Sequence, residues 1–358
     1  IFEKGSNCKM REKMQKQTSD TDTLLSELRL EMRDLMRQGG DWEAFGLKVF
    51  RFQCAHNPVY GEFVRLRGVE PASVASTRDV PHLPVTFFQS HWVSVFDEAV
   101  AMDRIFESSG TTGQRRSRHP VDDLGWYDEV AMAGFEQCMG PFAGKKLVAL
   151  LPGYRPGSSL IHMVRTFMQR CDQSKEDDWF FMEDWTALDK KLSTAVQEGH
   201  HVLVMGVTHA LLKWATEAKL DRPYSQVQLL ETGGMKGHGP ERIREEVHAA
   251  LQPLVATAAI GSEYGMTELL SQAWSSGHGR FVAPPWMHVR LGSMNDPGTW
   301  AADGKQGRIH IMDLANLASC SFLETSDIGR KHADGTFEVL GRFDHAEVRG
   351  CNLLTVEG

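Results

Sequence analysis

Apolar residues recur at helical spacing early in the chain. Over residues 22–38, leucines and methionines return every three to four positions, and a glycine pair follows at 39–40. This pattern predicts an amphipathic helix that ends at the glycines. From residue 58 to 84, prolines and a glycine interrupt the period, and we predict an extended approach to the core over 80–85. A further helix is predicted over 121–139.

The middle of the chain alternates short apolar runs with amphipathic segments. Such alternation is typical of an α/β domain with a largely parallel sheet, whose ligands collect at the carboxyl ends of the strands. We therefore expect a binding site in the loops that follow residues 230 and 260. The predicted strands are 146–151, 201–206 and 226–230, and the predicted helices are 159–170, 210–218 and 241–251.

Beyond Trp286 the pattern changes to short strands separated by turns. Strands are predicted over 307–312, 319–323 and 336–340, the last after the turn signal Asp334-Gly335. A small β-rich subdomain over about 286–340 is the expected result. The chain then divides into a polar segment at 1–18, a main domain at 19–340 and a tail at 341–358.

Composition narrows the class of protein. A chain of 358 residues with 41% hydrophobic residues can bury one large core or two closely packed subdomains. A net charge of −8 argues against a nucleic-acid binder held by backbone phosphates. No apolar stretch approaches the roughly 20 residues that cross a bilayer. Six cysteines without a C-x-x-C pair suggest neither zinc nor a disulfide scaffold, so we expect a reducing cytoplasm.

A loop of small residues is the first candidate for chemistry. Hydroxyl groups and backbone N–H groups in such a loop can converge on phosphate oxygens, and glycine permits their close approach. The nearby arginines Arg115, Arg116 and Arg118 point to the same ligand. An ordinary flexible loop explains the composition equally well. The loop comprises Ser108, Ser109, Gly110, Thr111, Thr112 and Gly113.

A second glycine pair, Gly233 and Gly234, follows the strand predicted over 226–230. Paired glycines leave a flat slot in which a planar ring can lie against the backbone. The alternative is a simple strand-to-helix turn. Lys236 is a candidate phosphate ligand, although a lone loop lysine is more often solvated.

The third candidate runs from Tyr264 and Gly265 to Thr267 and Glu268. A carboxylate and a hydroxyl beside a glycine turn can hold Mg²⁺ and a phosphate oxygen. Alternatively, Glu268 is a carboxylate in the first turn of a helix, where the helix dipole favours it. A serine hydrolase is disfavoured, because Glu263 occupies the position that the nucleophile takes in a hydrolase elbow.

The fourth candidate pairs Asp327 with Arg342, near Asp344. An aspartate after a strand can accept hydrogen bonds from the two hydroxyls of a ribose, and an arginine can reach ribose or phosphate. Each residue alone fits a turn or a surface ion pair. Turns and surface ion pairs do not easily explain why all four motifs occur together in this order.

In this order, the motifs resemble the core motifs of the adenylate-forming superfamily, which includes acyl-CoA synthetases and firefly luciferase. A closer resemblance is to the acyl-protein synthetases, the long-chain-fatty-acid luciferin-component ligases of bacterial luminescence systems. The stretches that carry the closer likeness are 229–237, 262–272, 312–316 and 349–354.

The resemblance implies an α/β fold of the large N-terminal type found in adenylate-forming enzymes, with parallel sheets, helices and the small β-rich subdomain. It also implies ATP and Mg²⁺, and attack of a carboxylate on the α-phosphate with loss of pyrophosphate. The implied roles are phosphate binding by 108–113, adenine binding by Gly233 and Gly234, nucleotide binding by Tyr264 and Gly265, phosphate and Mg²⁺ binding by Thr267 and Glu268, and ribose binding by Asp327 and Arg342.

Two departures from the superfamily pattern bear on the expected function. The phosphate loop of most relatives ends in a lysine, whereas Gln114, Arg115 and Arg116 follow here. Only 351–358 follow Gly350, so the usual mobile C-terminal domain and its lysine are expected to be missing. We hypothesise that Lys236 or an arginine near Arg115 supplies the missing cation.

The acyl-protein synthetase likeness implies a cysteine near the chain end that receives the acyl group as a thioester. Cys351 is the cysteine at that place, beside Arg349 and Arg342, which can lower a thiol pKa. A small buried hydrophobe is its alternative role. The expected partners are a fatty acid and an acyl reductase, and an oligomer is left open.

Two other functions fit the same motifs. One is an acyl-CoA or aryl-CoA ligase whose C-terminal domain is lost or is supplied by another chain. The other is a non-catalytic nucleotide-binding subunit that keeps the fold while the altered phosphate loop has lost activity.

Overall fold

The computed structural model describes most of the chain. Side chains are described from residue 19 onward. The described residues are 2–109, 115–151, 157–218, 223–233, 243–256, 259–296, 298–302 and 304–342.

Three helices open the chain: α1 (Phe2–Gln38), α2 (Trp42–His56) and α3 (Pro58–Leu66). α1 begins some twenty residues before its predicted start, so the boundary predicted at residue 18 falls inside a helix. Its first half is rich in Lys, Glu, Met and Gln, which favour helix without an apolar period.

α3 lies in the stretch where prolines and a glycine interrupt the apolar period, and the sequence pattern does not predict this helix. Asn57 caps this helix by accepting hydrogen bonds from the N–H groups of Val59 and Tyr60, both at 3.1 Å. Pro58 takes the first helical position, where its missing N–H costs nothing. A short strand, β1 (Leu83–Pro84), follows.

A hairpin of β2 (Arg104–Glu107) and β3 (Arg118–Val121) leads into the α/β part of the chain. In the sheet that follows, the first four strands pair in parallel in sequence order and the fifth is antiparallel. The predicted alternation of strands and helices is confirmed. The elements are α4 (Leu124–Met139), β4 (Lys145–Leu150), α5 (Ser159–Arg170), α6 (Trp185–Gln197), β5 (His201–Gly206), α7 (Thr208–Glu217), β6 (Val227–Glu231), α8 (Arg244–Leu251), β7 (Gly261–Tyr264) and β8 (Ala273–Ser275).

Both faces of this sheet are covered. Along β4 and β5, successive side chains point to opposite faces, and both sets are apolar. Leu147 and Met205 lie in the core shared with α4 and α5, whereas Val148 and Val204 lie in the core shared with α6, α7 and α8. Burial on both sides explains why these strands appear as continuous apolar runs in the sequence.

A second sheet contains β9 (Met287–Gly292), β10 (Gln306–Asp313), β11 (Phe322–Lys331) and β12 (Phe337–Arg342). β1 pairs in parallel with β11, and the other pairs are antiparallel. The strand predicted over 319–323 is displaced, because it begins at Phe322 and continues to Lys331. Alternating polar residues conceal the second half of this strand from an apolar pattern.

None of the helices in the described ranges combines the length and the apolar composition that spanning a membrane needs.

Three histidines lie on the face of the second sheet that the N-terminal part of the chain covers; His82 is buried, and His288 and His310 are half-buried. The rings of His82 and His310 are 5.1 Å apart, and both contact Trp300. Burial lowers the pKa of His288 and of His310 to about 4, and it lowers the pKa of His82 well below its ordinary value. All three rings are therefore neutral at pH 7.

We expect the protein to lose stability as the pH falls from 7 to 5. A histidine whose folded pKa is depressed binds its proton more readily when unfolded, so its stabilising effect is present above pH 6.5 and decreases below it. For His288 and His310 the loss is about 2 kcal/mol each at pH 5. Urea unfolding at both pH values measures it. The variant His310→Gln should show a smaller loss, and an equal loss would contradict this origin.

Candidate functional site

The candidate site lies where the two sheets and the β2–β3 hairpin meet. β6 and β7 are neighbours, with Glu231 opposite Ser262, so the loops that follow them leave the same edge of the parallel sheet. This is the edge at which ligands of open α/β sheets bind. β11 and β12 bring Asp327 opposite Arg342. The site is built from these loops and strand ends.

The stem of the predicted phosphate loop is closed by two hydrogen bonds. The Ser108 N–H donates to the carbonyl of Ser117 at 3.1 Å, and the Ser117 N–H donates to the Ser108 hydroxyl at 3.0 Å. Ser109 follows as an exposed residue. Gly110, Thr111, Thr112 and Gly113, and Gln114 after them, lie outside the described residues.

The arginines after the loop differ in their surroundings. Arg115 is exposed, Arg116 lies 3.3 Å from Glu107 in an exposed pair, and Arg118 lies 3.0 Å from Glu98. Exposed ion pairs of this kind contribute little to stability. Their charges are therefore available to a negatively charged ligand at small cost.

A buried carboxylate that sequence reasoning missed supports the turn at Gly233. Glu231 accepts hydrogen bonds from the Thr208 hydroxyl and the Gly233 N–H, both at 2.9 Å, and Arg244 Nε lies 3.1 Å away. Burial raises the pKa of Glu231, but Arg244 and the hydrogen bonds outweigh it and leave the pKa lowered. Gly233 has φ +75°, which favours glycine. Gly234 and Lys236 lie outside the described residues.

Arg244 joins this turn to the second sheet. Its Nη1 donates to the carbonyl of Val339 on β12 at 3.0 Å, and its guanidinium lies 4.9 Å from the Phe281 ring. The Gly233 turn is thereby fixed relative to the strand that carries Arg342. The sequence signal for Glu231 is a single acid at the end of an apolar run, which gives no indication of a partner in α8.

Tyr264 and Asp327 are in direct contact. The Tyr264 hydroxyl donates to Asp327 Oδ2 at 2.8 Å, and Arg342 Nε lies 3.5 Å from Oδ1. Burial, and then the neighbouring Asp327, raises the pKa of Tyr264 well above its ordinary value. The tyrosine therefore remains a donor that orients the carboxylate. The Arg342 side chain is 79% exposed, so a ligand can reach its guanidinium beside Asp327.

Gly265 is closely packed by two side chains. A Cβ at this position would overlap Oε1 of Glu263 and would lie 3.1 Å from Cγ of Gln272. These neighbours are themselves buried, so they have little room to move.

We expect Gly265→Ala to lower the free energy of unfolding by about 1–3 kcal/mol, the usual cost of overpacking. Denaturant unfolding measures the change. The control is Gly134→Ala in α4, where a Cβ would meet Pro284 and Trp286 at an ordinary 3.8 Å. That variant should be more stable by about 0.5–1 kcal/mol. Equal effects at the two glycines would show that packing at Gly265 is not tight.

Glu268 is a buried carboxylate at the loop stem. It is 7% exposed, and burial raises its pKa, although a hydrogen bond with the Ser117 side chain and the charge of Arg342 act in the opposite direction. A carboxylate in such surroundings gains from a cation placed beside it. Thr267 precedes it, and its carbonyl lies 2.7 Å from Nδ1 of His119.

The loop that carries Thr267 and Glu268 is anchored by a second buried carboxylate. Asp313 Oδ2 accepts from the N–H groups of Leu270 and Ser271, both at 2.9 Å, and Oδ1 accepts from the Ser271 hydroxyl at 2.6 Å. Asn316 Nδ2 donates to the carbonyl of Glu268 at 2.9 Å. The second sheet therefore sets the position of this loop.

The Glu268 carboxylate suits a Mg²⁺ ion that is bound together with phosphates. In the part of the chain that the structure describes, no group of three or more His, Cys, Asp or Glu side chains is arranged to hold a metal ion. Mg²⁺ commonly takes one or two carboxylates and completes its shell with water and substrate phosphates. Glu268, buried beside the phosphate-loop stem, fits that arrangement.

The described predicted site residues fall into three groups of contacts. Ser117 contacts Ser108 and Glu268, Glu231 and Arg244 join Gly233 to β12, and Asp327 contacts Tyr264 and Arg342. The sequence motifs assign no role to five residues that hold these groups in place. They are His119, Glu231, Arg244, Asp313 and Asn316.

Solved structures resemble this fold at low sequence identity. The open conformation of 2-hydroxyisobutyryl-CoA ligase, in complex with 2-HIB-AMP and CoA, matches with a TM-score of 0.61 and 14% identity over 85% of this chain and 70% of that chain. The same ligase in its thioesterification state gives a TM-score of 0.59 and 14% identity, with 85% and 68% covered. O-succinylbenzoate coenzyme A synthetase from Bacillus subtilis, with ATP and magnesium ion, gives 0.48 and 15%, with 68% and 50% covered.

No protein-family model matches the sequence, and neither does any curated protein. The chain spans half the length of the succinylbenzoate enzyme. The likeness to the hydroxyisobutyryl ligase shows the fold, which is the α/β fold of the large N-terminal domain of adenylate-forming enzymes. The fold class expected from the sequence is thereby confirmed.

Proposed function

We propose that this protein activates a carboxylic acid with ATP, forming an acyl-adenylate and pyrophosphate. The observation that carries the proposal is the buried Glu268 carboxylate, hydrogen-bonded by Ser117 at the stem of the phosphate loop. A carboxylate is placed there at a cost in stability, and Mg²⁺ accompanying the ATP phosphates would offset that cost. The fold and the ordered motifs agree with this chemistry.

The residues divide the work of nucleotide binding. The loop 108–113 binds the phosphates through N–H and hydroxyl groups, and the turn at Gly233 and Gly234 holds the adenine. Asp327 accepts hydrogen bonds from the ribose hydroxyls, while Tyr264 orients it and Arg342 adds a donor. Thr267 contacts a phosphate oxygen and Glu268 holds Mg²⁺.

In the proposed reaction, a carboxylate oxygen of the substrate attacks the α-phosphorus. The bond from that phosphorus to the bridging oxygen breaks, and pyrophosphate leaves with the bonding electrons. The nucleophile is already ionised at neutral pH, so no general base is needed. Bound Mg²⁺ supplies neutralisation of charge on the phosphate oxygens. Positioning and electrostatic stabilisation by the protein account for the rest.

We further propose that the acyl group passes to the thiol of Cys351, with AMP leaving and the thiol proton released to solvent. Support comes from the resemblance to acyl-protein synthetases and from the other cysteines. Burial raises the pKa of Cys54 and Cys138 to about 12 and that of Cys171 to about 11, so these thiols are poor nucleophiles. Cys351 itself lies outside the described residues.

The remaining parts of this proposal concern partners and charge. A long-chain fatty acid is the proposed substrate, and an acyl reductase is the proposed recipient of the acyl group. Lys236 or an arginine near Arg115 supplies the cation for the adenylation step. We also propose the cytoplasm as the compartment, in keeping with the reduced cysteines expected there.

An acyl-CoA ligase is the second candidate. It is favoured by the structural likeness to 2-hydroxyisobutyryl-CoA ligase, at a TM-score of 0.61. In that case the acyl-adenylate reacts with the thiol of CoA, and Cys351 has no part in the transfer.

ATP–pyrophosphate exchange over a panel of carboxylic acids tests activation, and mass spectrometry of the intact protein then tests the acceptor. We expect acid-dependent exchange and one added acyl mass that Cys351→Ser abolishes. The matched control, Cys138→Ser, should retain the added mass. Exchange without protein acylation, together with acyl-CoA formation when CoA is supplied, would favour the second candidate. ATP binding without exchange for any acid would indicate a non-catalytic nucleotide-binding subunit.

A further inference from the structure

A buried histidine connects the phosphate-loop stem to the loop that carries Glu268. His119 lies on β3 and is fully buried. Its Nδ1 is 2.7 Å from the carbonyl oxygen of Thr267, and its Nε2 is 3.2 Å from Oδ1 of Asn316. The histidine thus spans three separate parts of the chain at the site.

The surrounding groups identify which ring nitrogen donates. Asn316 Nδ2 donates to the carbonyls of Glu268 at 2.9 Å and Cys320 at 3.1 Å, which fixes the amide orientation and leaves Oδ1 facing His119. A neutral imidazole has one N–H. The Thr267 carbonyl oxygen and Asn316 Oδ1 can both only accept, so the shorter of the two contacts assigns that proton to Nδ1 of His119.

The start of β3 contacts both the backbone and the side chain of the Glu268 segment. Ser117 directly precedes this strand, and His119 is the second residue of the strand. Ser117 hydrogen-bonds the Glu268 carboxylate, while His119 donates to the carbonyl of the preceding residue, Thr267. Asn316 holds the carbonyl of Glu268 from the second sheet. We call His119, Asn316 and the Thr267–Glu268 backbone the His119 clamp.

We propose that His119 is a positioning residue, which sets the Glu268 carboxylate against the phosphate-loop stem through its bond to Thr267. The inference rests on the proposed function, since it assigns Glu268 to Mg²⁺ and the stem to ATP phosphates. His119 does not touch the reacting atoms. His119 fixes the distance between two parts of the site that are 148 residues apart in sequence.

A role in core packing alone makes a different prediction. The His119 ring also meets the ring of Phe88 edge to face at 5.7 Å, so any replacement disturbs packing. Loss of packing lowers stability, but it does not distinguish between side chains that preserve one nitrogen position or the other.

The test is the pair His119→Asn and His119→Gln. The amide nitrogen of asparagine takes the place of Nδ1 and can keep the bond to Thr267, whereas that of glutamine takes the place of Nε2 and loses it. Both replacements are polar and similar in size. His82→Gln, at a buried histidine outside the site, is the matched control.

Two quantities are measured for each protein: kcat and KM for ATP in pyrophosphate exchange, and the gain in ATP affinity when EDTA is replaced by Mg²⁺. We expect His119→Gln to lower kcat by about 100-fold, the cost of a misplacement near 1 Å, and to diminish the Mg²⁺-dependent gain. His119→Asn and His82→Gln should stay close to wild type in both.

If the two His119 variants have equal kcat and an equal Mg²⁺-dependent gain in ATP affinity, the proposed role of the His119 clamp is wrong. If the wild type binds Mg·ATP but exchanges with no acid, the adenylation proposal fails alone, and the Mg²⁺-dependent gain still decides the role of His119. A wild type that binds no ATP overturns both.

Discussion

Replacing Glu268 with glutamine is expected to reduce acid-dependent pyrophosphate exchange by about three orders of magnitude, or roughly 4 kcal/mol of transition-state stabilisation. The amide keeps the shape of the side chain and loses its charge. Glu268 is the buried carboxylate beside the loop stem, where it can neutralise a cation that accompanies phosphate. Steady-state exchange at saturating ATP and acid measures the change.

The same variant should not lose stability. Burial raises the pKa of Glu268, which means that folding disfavours its charged form, and a neutral amide removes that cost at pH 7. The matched control is Asp122→Asn, because burial also raises the pKa of Asp122 while Arg29 pairs with it at 2.8 Å, away from the site. Asp122→Asn should likewise keep its stability, and it should leave exchange unchanged. Unchanged exchange in Glu268→Gln would remove Glu268 from the mechanism.

Local patterns in the sequence predict the elements of the fold well where apolar period and turn residues agree. The strands β4, β5 and β6 and the helix α5 lie within a residue or so of their expected bounds, because sheet strands covered on both faces are continuous apolar runs. The same patterns miss α6 and the first half of α1. These helices depend on tertiary packing or on helix propensity, and they lack a long apolar stripe that the sequence pattern could reveal.

The connections within the site are harder to predict because they join distant residues. Tyr264 and Asp327 are in motifs that the sequence identifies, but their hydrogen bond joins residues that are 63 positions apart. The sequence motifs assign no role to Glu231 or Arg244, and the second hydrogen bond of Arg244 reaches Val339, 95 residues away in sequence. A residue that only supports the site has its role because of the residues packed against it. The pattern of a single sequence does not show which distant residues these are.

The anchor of the Glu268 loop should have the largest effect on stability. Asp313 is fully buried, and it accepts hydrogen bonds from the N–H groups of Leu270 and Ser271 and from the Ser271 hydroxyl. Asp313→Ala leaves these donors buried without an acceptor, at about 1–3 kcal/mol for each. We expect it to lower the free energy of unfolding by about 4 kcal/mol or more and to abolish exchange.

Asp313→Asn tests whether the hydrogen bonds or the charge matter. Its amide oxygen can accept from both N–H groups, and its NH₂ can donate to the Ser271 hydroxyl oxygen, so most of the anchor survives. Burial raises the pKa of Asp313, so loss of the charge removes a desolvation cost. Denaturant unfolding should therefore show a loss below about 1.5 kcal/mol for asparagine, with exchange retained. Equal destabilisation by alanine and asparagine would mean that the carboxylate charge, rather than the acceptor geometry, holds the loop that carries Glu268.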